Sequence, residues 1–387
     1  MKINSLKLCD TDTNWNLSKV AFKNMTLLIG ASGVGKTQIL ESILKLRAIV
    51  RGKSMGGTKW EVDFTTLDNN QYIWRGEFEQ IEQSLLNILF DNILYENNTP
   101  KVVFEELFLN GKQIIERDLN KIIFNGHKTV KLAQEKSVLN LLKEEDLVSP
   151  AFQGFQKIIF SDQVVSKRRP QIFNPDSILK QGILQKYKTI ESIREADENM
   201  ITKLYLAYNN AKDVMSSIKE RFIDIFPFVM AIKIAPLEFE NNNDILSALR
   251  DRPFIQIKER NVEDWIIQPQ ISSGMYRTLM HLSELYLCPK GTVILIDEFE
   301  NSLGVNCINE LTVDLQTASH RNLQFIITSH HPYIINQISY KNWKLVTRKG
   351  SQVVTREAAD IIDFSKSKQQ AFIQLTQLDE FTIGIAE

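Results

Sequence analysis

Residues Gly30-Ala31-Ser32-Gly33-Val34-Gly35-Lys36-Thr37 follow the spacing G-x-x-x-x-G-K-[ST]. Glycines at those places let successive backbone N–H groups turn inward around a phosphate, and a helix starting there adds positive partial charge. Lys36 then supplies a point charge to the β- and γ-phosphates, the Thr37 hydroxyl can ligate Mg2+, and Gln38 completes the candidate nucleotide-binding set. Much later in the chain, the apolar run Val293-Ile294-Leu295-Ile296 ends in Asp297-Glu298. A strand emerging beside the loop would bring Asp297 near the metal and leave Glu298 to polarise an attacking water. The segment Ile271-Ser272-Ser273-Gly274-Met275 precedes a helical pattern over Tyr276–Leu287. Ser272 and Gly274 there read either as an ordinary capped helix start or as a second anion site. Ile326-Ile327-Thr328-Ser329 ends in His330-His331-Pro332. That is either a turn held by proline or a histidine that can reach a γ-phosphate or its attacking water.

These residues need elements to carry them. Lys2–Ile29 reads as strand, closing on the apolar Met25–Ile29, and a helix is predicted from Gln38 to Val50 by its apolar periodicity. Lys59–Gln80 alternates around Asp68-Asn69-Asn70, and Lys101–Leu132 alternates around Asn110-Gly111 and Asn125-Gly126. Those turns predict an antiparallel sheet. Its aromatics Trp60, Tyr72, Trp74 and Phe78 fit one sheet face better than a base-stacking platform. Between Gly182 and Pro227 neither Gly nor Pro interrupts a helical pattern. One continuous helix there would span roughly 65 Å, and a hairpin turning near Asp197-Glu198-Asn199 half of that. Val293–Ile296 and Phe325–Ile327 read as buried parallel strands, and Trp343–Thr347 with Gln352–Thr355 as a strand pair.

Bulk composition narrows the function classes. The 387 residues carry 46 Lys+Arg against 47 Asp+Glu, a net charge of −1, so contact with nucleic acid through overall charge is disfavoured and must be local or indirect. The densest basic run, Lys167-Arg168-Arg169, fits a solvated loop. Cys9, Cys288 and Cys307 are an odd number with no metal-ligand spacing, which predicts neither a disulfide framework nor a zinc site. No apolar segment has the length of a membrane span and the N-terminus has no signal-peptide core, so the expectation is a soluble, cytoplasmic protein.

The order of phosphate loop, S-x-G segment, apolar run with Asp-Glu, and strand ending in His resembles the ATP-binding-cassette class of ATPases, within it the SMC-like and RecF-like heads. The wording Ile271–Met275, Asp297-Glu298-Phe299-Glu300-Asn301-Ser302-Leu303 and Ser329–Pro332 is similar to AAA-type ATPases of the OLD-like group in bacterial anti-phage systems such as Septu, PARIS, Gabija and some retrons. The resemblance implies an α/β P-loop NTPase of ABC-ATPase head type: a mixed sheet with an antiparallel β subdomain and a helical insertion. Residues 1–170 would form the N-terminal lobe, 171–226 the insertion and 227–387 the C-terminal lobe.

It further implies ATP and Mg2+ as cofactors, and a head-to-head homodimer, or a larger ring, in which Ser272 and Gly274 reach the γ-phosphate held by the other subunit. Glu298 would be the catalytic base and His330 the switch histidine, with His331 standing where such proteins often have Ser. Thr37, Asp297 and a loop Gln would hold the metal; Gln163 is the candidate, and an ordinary exposed loop residue is the equal alternative. Gly304 departs from the acid many cassette ATPases carry there, which puts signalling between subunits through that position in question. No acidic cluster of the TOPRIM kind and no HNH pattern occurs, so a nuclease or toxin effector is expected on a separate chain. Three functions are compatible with this pattern: a sensor or regulatory ATPase of a defence complex, a DNA repair or recombination ATPase binding DNA directly, or an ATP-clamped scaffold with slow turnover.

Overall fold

The computed structural model describes residues 1–80, 99–161, 179, 181–237, 251–301, 303–317, 321–361 and 368–385. In chain order the strands and the helices of six residues or more begin with β1 (Lys2–Asp10), β2 (Trp15–Ala21), β3 (Met25–Ile29) and α1 (Lys36–Val50). Next come β4 (Thr58–Thr65), β5 (Gln71–Phe78), β6 (Val102–Leu109), β7 (Lys112–Asp118), β8 (Ile122–Phe124), β9 (His127–Lys128), α2 (Ser149–Gln156) and β10 (Ile158–Phe160). The middle of the chain forms α3 (Ile190–Glu195), α4 (Met200–Asn210), α5 (Lys212–Ile225), β11 (Val229–Pro236), β12 (Pro253–Glu259), β13 (Ile266–Ile267) and α6 (Ser273–Leu287). It ends with β14 (Val293–Ile296), α7 (Val305–Thr317), β15 (Gln324–Thr328), α8 (Pro332–Gln337), β16 (Trp343–Lys349), β17 (Gln352–Glu357) and α9 (Lys368–Gln377). The chain divides into two compact units, one of Met1–Ile159, Gly291–Glu298 and Arg321–Glu387, the other of Phe160–Lys290 and Phe299–His320. Among the described residues no helix is long and apolar enough to cross a membrane.

The first unit is built on one mixed sheet with strand order β10-β14-β15-β3-β16-β17-β2-β1-β4-β5-β6-β7-β8-β9. β14, β15, β3 and β16 run parallel, and the apolar runs of the first three are buried throughout, as a sheet covered on both faces requires. From β1 through β4 to β9 the pairing is antiparallel, and alternate residues of β4 and β5 are buried. The Asn-Gly turns are what set these hairpins. Asn110 and Gly111 have φ of 48° and 81°, and Asn125 and Gly126 have 47° and 83°, the left-handed pairs of a two-residue hairpin turn. Trp60, Tyr72, Trp74 and Phe78 are all buried on one face of this sheet. Phe155 of α2 meets Phe64 edge-on at 5.2 Å and Trp74 at 5.4 Å between ring centroids, which is packing rather than an open stacking surface. Asp10 at the end of β1 is buried and pairs with Lys45, tying α1 to the sheet.

In the second unit β11, β12 and β13 form a small antiparallel sheet, with the other elements helical. The stretch after Gly182 is neither one rod nor a simple pair of helices. Thr189 and Ser192 form a reciprocal capping box that starts α3, and the Asn199 side chain accepts from Thr202 N at 3.0 Å to start α4. The hairpin expected near Asp197-Glu198-Asn199 is therefore one of several breaks that polar caps impose. Arg221 of α5 reaches Asp314 Oδ2 at 2.8 Å and Glu310 Oε2 at 2.7 Å, joining α5 to α7. Ser161 Oγ donates to Glu284 Oε2 at 2.6 Å, and Arg277 Nε donates to His281 Nε2 at 3.3 Å. The proton of His281 then sits on Nδ1, which faces Ser161 Oγ at 3.1 Å. Gln163, the Lys167-Arg168-Arg169 run and Ser302 lie outside the described residues.

Candidate functional site

Parallel strands open all their carboxyl ends on one side, so the turns that leave β3, β14 and β15 converge there. The turn after β3 is the 30–37 loop. Gly30 has φ +144°, and a Cβ on it would stand 2.5 Å from the Val346 carbonyl oxygen of β16, so only glycine lets the loop leave the sheet here. Gly33 at φ +81° and Gly35 at +103° are likewise left-handed, and α1 begins at Lys36 directly after Gly35. Lys36 Nζ donates to the carbonyls of Gly30 and Ala31, both at 2.8 Å, which holds the ammonium within the loop's own curve. Val34 is buried, while Ser32 and Gly33 are exposed.

The acids come from the next-but-one strand. β14 pairs with β15 in a register that sets Ile296 opposite Ile327, so Asp297 follows β14 at the level where Thr328 ends β15. Thr37 Oγ1 donates to Asp297 Oδ2 at 2.9 Å, and Thr328 Oγ1 donates to Asp297 Oδ1 at 2.5 Å. Glu298 has φ +44°, a left-handed conformation that costs a non-glycine residue about 1–2 kcal/mol. Its side chain is exposed and its amide donates to Thr328 Oγ1 at 2.8 Å. His330 is exposed just past β15. His331 instead turns to local work: its Nδ1 accepts from Tyr333 N at 3.2 Å and caps α8.

The fold thus gathers Lys36, Thr37, Asp297, Glu298 and His330 at the carboxyl end of the parallel strands of one unit. Ser272 and Gly274 belong to the other unit. Ser272 Oγ accepts from Met275 N at 3.2 Å as the N-cap of α6, and Gly274 lies in its first turn. Sequence reasoning passed over three neighbours, Thr328, Trp15 and Gly384. Thr328 touches both acids, and its signal was the polar residue closing an otherwise apolar strand. Trp15 Nε1 and Gln38 Oε1 are each buried with no hydrogen-bond partner among the described residues, and both lie within 3.5 Å of where a Cβ on Gly35 would stand. Gly384, at φ +77°, lies against the loop; a Cβ there would be 2.3 Å from Val34 Cγ1 and 3.0 Å from Ala31 Cβ.

The residues present fit a nucleoside triphosphate with Mg2+. The left-handed glycines make a cradle without side chains, a helix N-terminus opens onto it, and Lys36 offers a cation. Thr37 and Asp297 set hard oxygen donors side by side, and they could hold Mg2+ as part of the sparse set it takes when phosphates and water complete its shell.

Residues 147–336 match the family model described as "AAA domain, putative AbiEii toxin, Type IV TA system". That span contains Ser272, Gly274, Asp297, Glu298, Thr328 and His330 and begins after the phosphate loop. Among solved structures, a crystal structure of the SmcHead bound to the C-winged helix domain of ScpA is similar at TM-score 0.53 and 13% identity, covering 93% of this chain and 99% of that one. An Smc head domain with an extended coiled coil, bound to the C-terminal domain of ScpA derived from Pyrococcus furiosus, is similar at TM-score 0.50 and 12% identity, covering 93% and 97%. Against curated protein sequences the chain has no match. At such identities the likeness is one of fold: this mixed α/β chain is similar to the P-loop NTPase heads of SMC proteins over nearly its whole length.

Proposed function

We propose that this protein is a Mg2+-dependent ATPase that dimerises head to head around ATP and regulates a separate nuclease or toxin effector in an anti-phage defence complex. The observation that carries the ATPase reading is the bond from Thr37 to Asp297, the residue before Glu298, beside a glycine cradle that holds Lys36. In this reading the 30–38 backbone and Lys36 bind the triphosphate, and Thr37 and Asp297, with Gln163, hold Mg2+, which screens phosphate charge when bound. Glu298 takes the proton of the attacking water, His330 contacts the γ-phosphate, and Ser272 and Gly274 complete the site of a second copy. Residues 1–170 and 227–387 are the lobes of the head, and 171–226 is its insertion.

The defence role is supported by the family description over residues 147–336, which names a "putative AbiEii toxin" of a type IV system. Glu298→Gln is expected to keep ATP binding, stop hydrolysis and shift the protein from monomer to an ATP-dependent dimer on gel filtration. A Glu298→Gln protein that turns over normally overturns the assignment of the base. The likeness to SMC heads favours one second reading, a repair or recombination ATPase that binds duplex DNA itself. A gel shift with the purified protein, with and without ATP, that weakens steeply with salt would select that reading.

A further inference from the structure

We infer that Thr328 is a positioning residue of the ATPase site, a single hydroxyl that fixes both the carboxylate of Asp297 and the main chain of Glu298. The inference rests on the ATPase reading above and adds to it a residue that neither the motifs nor the comparisons single out.

Thr328 is 1% exposed and closes β15. A hydroxyl has one proton to give and two lone pairs to receive with. Here the proton goes to Asp297 Oδ1 at 2.5 Å, and a lone pair takes the amide of Glu298 at 2.8 Å. Both partners depend on it. Asp297 Oδ1 is held by Thr328, and Thr37 Oγ1 faces the same carboxylate, 2.9 Å from Oδ2 and 3.2 Å from Oδ1. Glu298 sits at φ +44°, a conformation a glutamate leaves unless something outside its own residue holds it. Its amide bond to Thr328 is one such restraint, and the side chain beyond it is exposed. The parallel register brings this about: Ile327 stands opposite Ile296, so the residues one step further on are matched as well.

Removing the hydroxyl while keeping the shape, in Thr328→Val, leaves a carboxylate oxygen and an amide without their shared partner. Thr328→Ser keeps the hydroxyl and removes only a methyl group. Two readouts are taken on the full chain. Steady-state phosphate release with ATP and Mg2+ should show kcat lowered about 10- to 100-fold in Thr328→Val with ATP affinity within about threefold, as expected for misplaced rather than missing groups. Thr328→Ser should retain most of the wild-type kcat. Hydrogen exchange of the Glu298 amide, measured without nucleotide, should be faster by at least about tenfold in Thr328→Val and near wild type in Thr328→Ser. Wild-type kcat and exchange in Thr328→Val overturn the inference, as does a Thr328→Ser protein as impaired as Thr328→Val, which would make the role one of packing. If the wild type hydrolyses no ATP while the exchange result holds, the ATPase reading fails and the clamp stands as structure alone.

Discussion

Two carboxylates of the same unit, Glu105 and Glu298, are held in opposite ways. Glu105 on β6 is fully buried, and its two oxygens accept from Trp74 Nε1 at 2.8 Å, from Ser137 Oγ and from Val138 N at 2.8 Å, with Arg117 at 3.6 Å. Burial pushes its carboxyl above the usual range, against the pull of Ser137, Val138, Arg117 and Trp74. Arg117 in turn donates to the carbonyls of Ala133, Gln134 and Lys136, so every charge in the cluster is spent on chain geometry. At Glu298 the fold grips the main chain through Thr328 and presents the side chain to solvent on a strained turn. A saturated, buried carboxylate organises the chain around it. An exposed one, aimed by a backbone that other elements hold in an unfavourable conformation, is placed for chemistry with something arriving from outside.

If that contrast is right, damage to the two sites separates stability from function. Glu105→Ala strands Arg117 in the interior and should cost about 3–5 kcal/mol in denaturant unfolding. The remaining folded protein should bind ATP with wild-type affinity; a loss of binding at unchanged stability would break the contrast. Lys36→Ala should do the reverse, weakening ATP about 100-fold in a titration, about 2.7 kcal/mol, while unfolding moves by no more than about 0.5 kcal/mol. Gly384→Ala tests whether the segment lying on the loop supports it, because the new methyl meets Val34 at a left-handed position. The expected outcome is destabilisation of about 1–2 kcal/mol together with a severalfold change in ATP affinity, measured on the same preparation.

The smallest expected effect lies at Glu357, half-buried on the same sheet between the buried Lys344 and the exposed Lys23. Glu357 accepts from Lys344 and from Lys23 Nζ, the latter at 2.9 Å. Burial alone would raise its carboxyl, but the hydrogen bonds from Lys344 and Lys23 outweigh it and hold the group below the ordinary carboxylate value. A carboxyl depressed in the folded state stabilises above its unfolded pKa and loses that contribution as pH falls through the folded one. The advantage of wild type over Glu357→Gln should therefore be about 1 kcal/mol at neutral pH and fade below about pH 4. Thermal unfolding of both proteins at neutral pH and at about pH 3.5 measures it, and ATP hydrolysis at neutral pH should not distinguish them.

What was legible in the sequence was whatever short-range chemistry dictates. Asn110-Gly111 and Asn125-Gly126 announce left-handed turns because few other pairs adopt them, and Ser272 announces a helix because its hydroxyl can reach Met275 N. The loop at 30–37 and the Asp-Glu pair at 297–298 were visible as local patterns on the right elements. Strand order was not. β3 lies between β15 and β16, and that arrangement depends on pairings across roughly three hundred residues that no local period records. For the same reason nothing local marks the role of Thr328, Trp15 or Gly384, since each acquires it from a neighbour distant in the chain. The break at Asn199 was one of the two alternatives the sequence offered, whereas the one at Thr189, within reach as a capping residue, was masked by the apolar periodicity running across it.

The central claim is that the triphosphate held by the 30–37 loop is cleaved under the direction of Glu298. The direct measurement is single-turnover conversion of γ-labelled ATP by excess protein with Mg2+, comparing wild type with Glu298→Gln. The account predicts that both proteins bind the nucleotide, that wild type releases labelled phosphate, and that Glu298→Gln retains intact ATP with a rate lower by at least about 100-fold. Equal rates in the two proteins, or a wild type that binds no ATP, would contradict it.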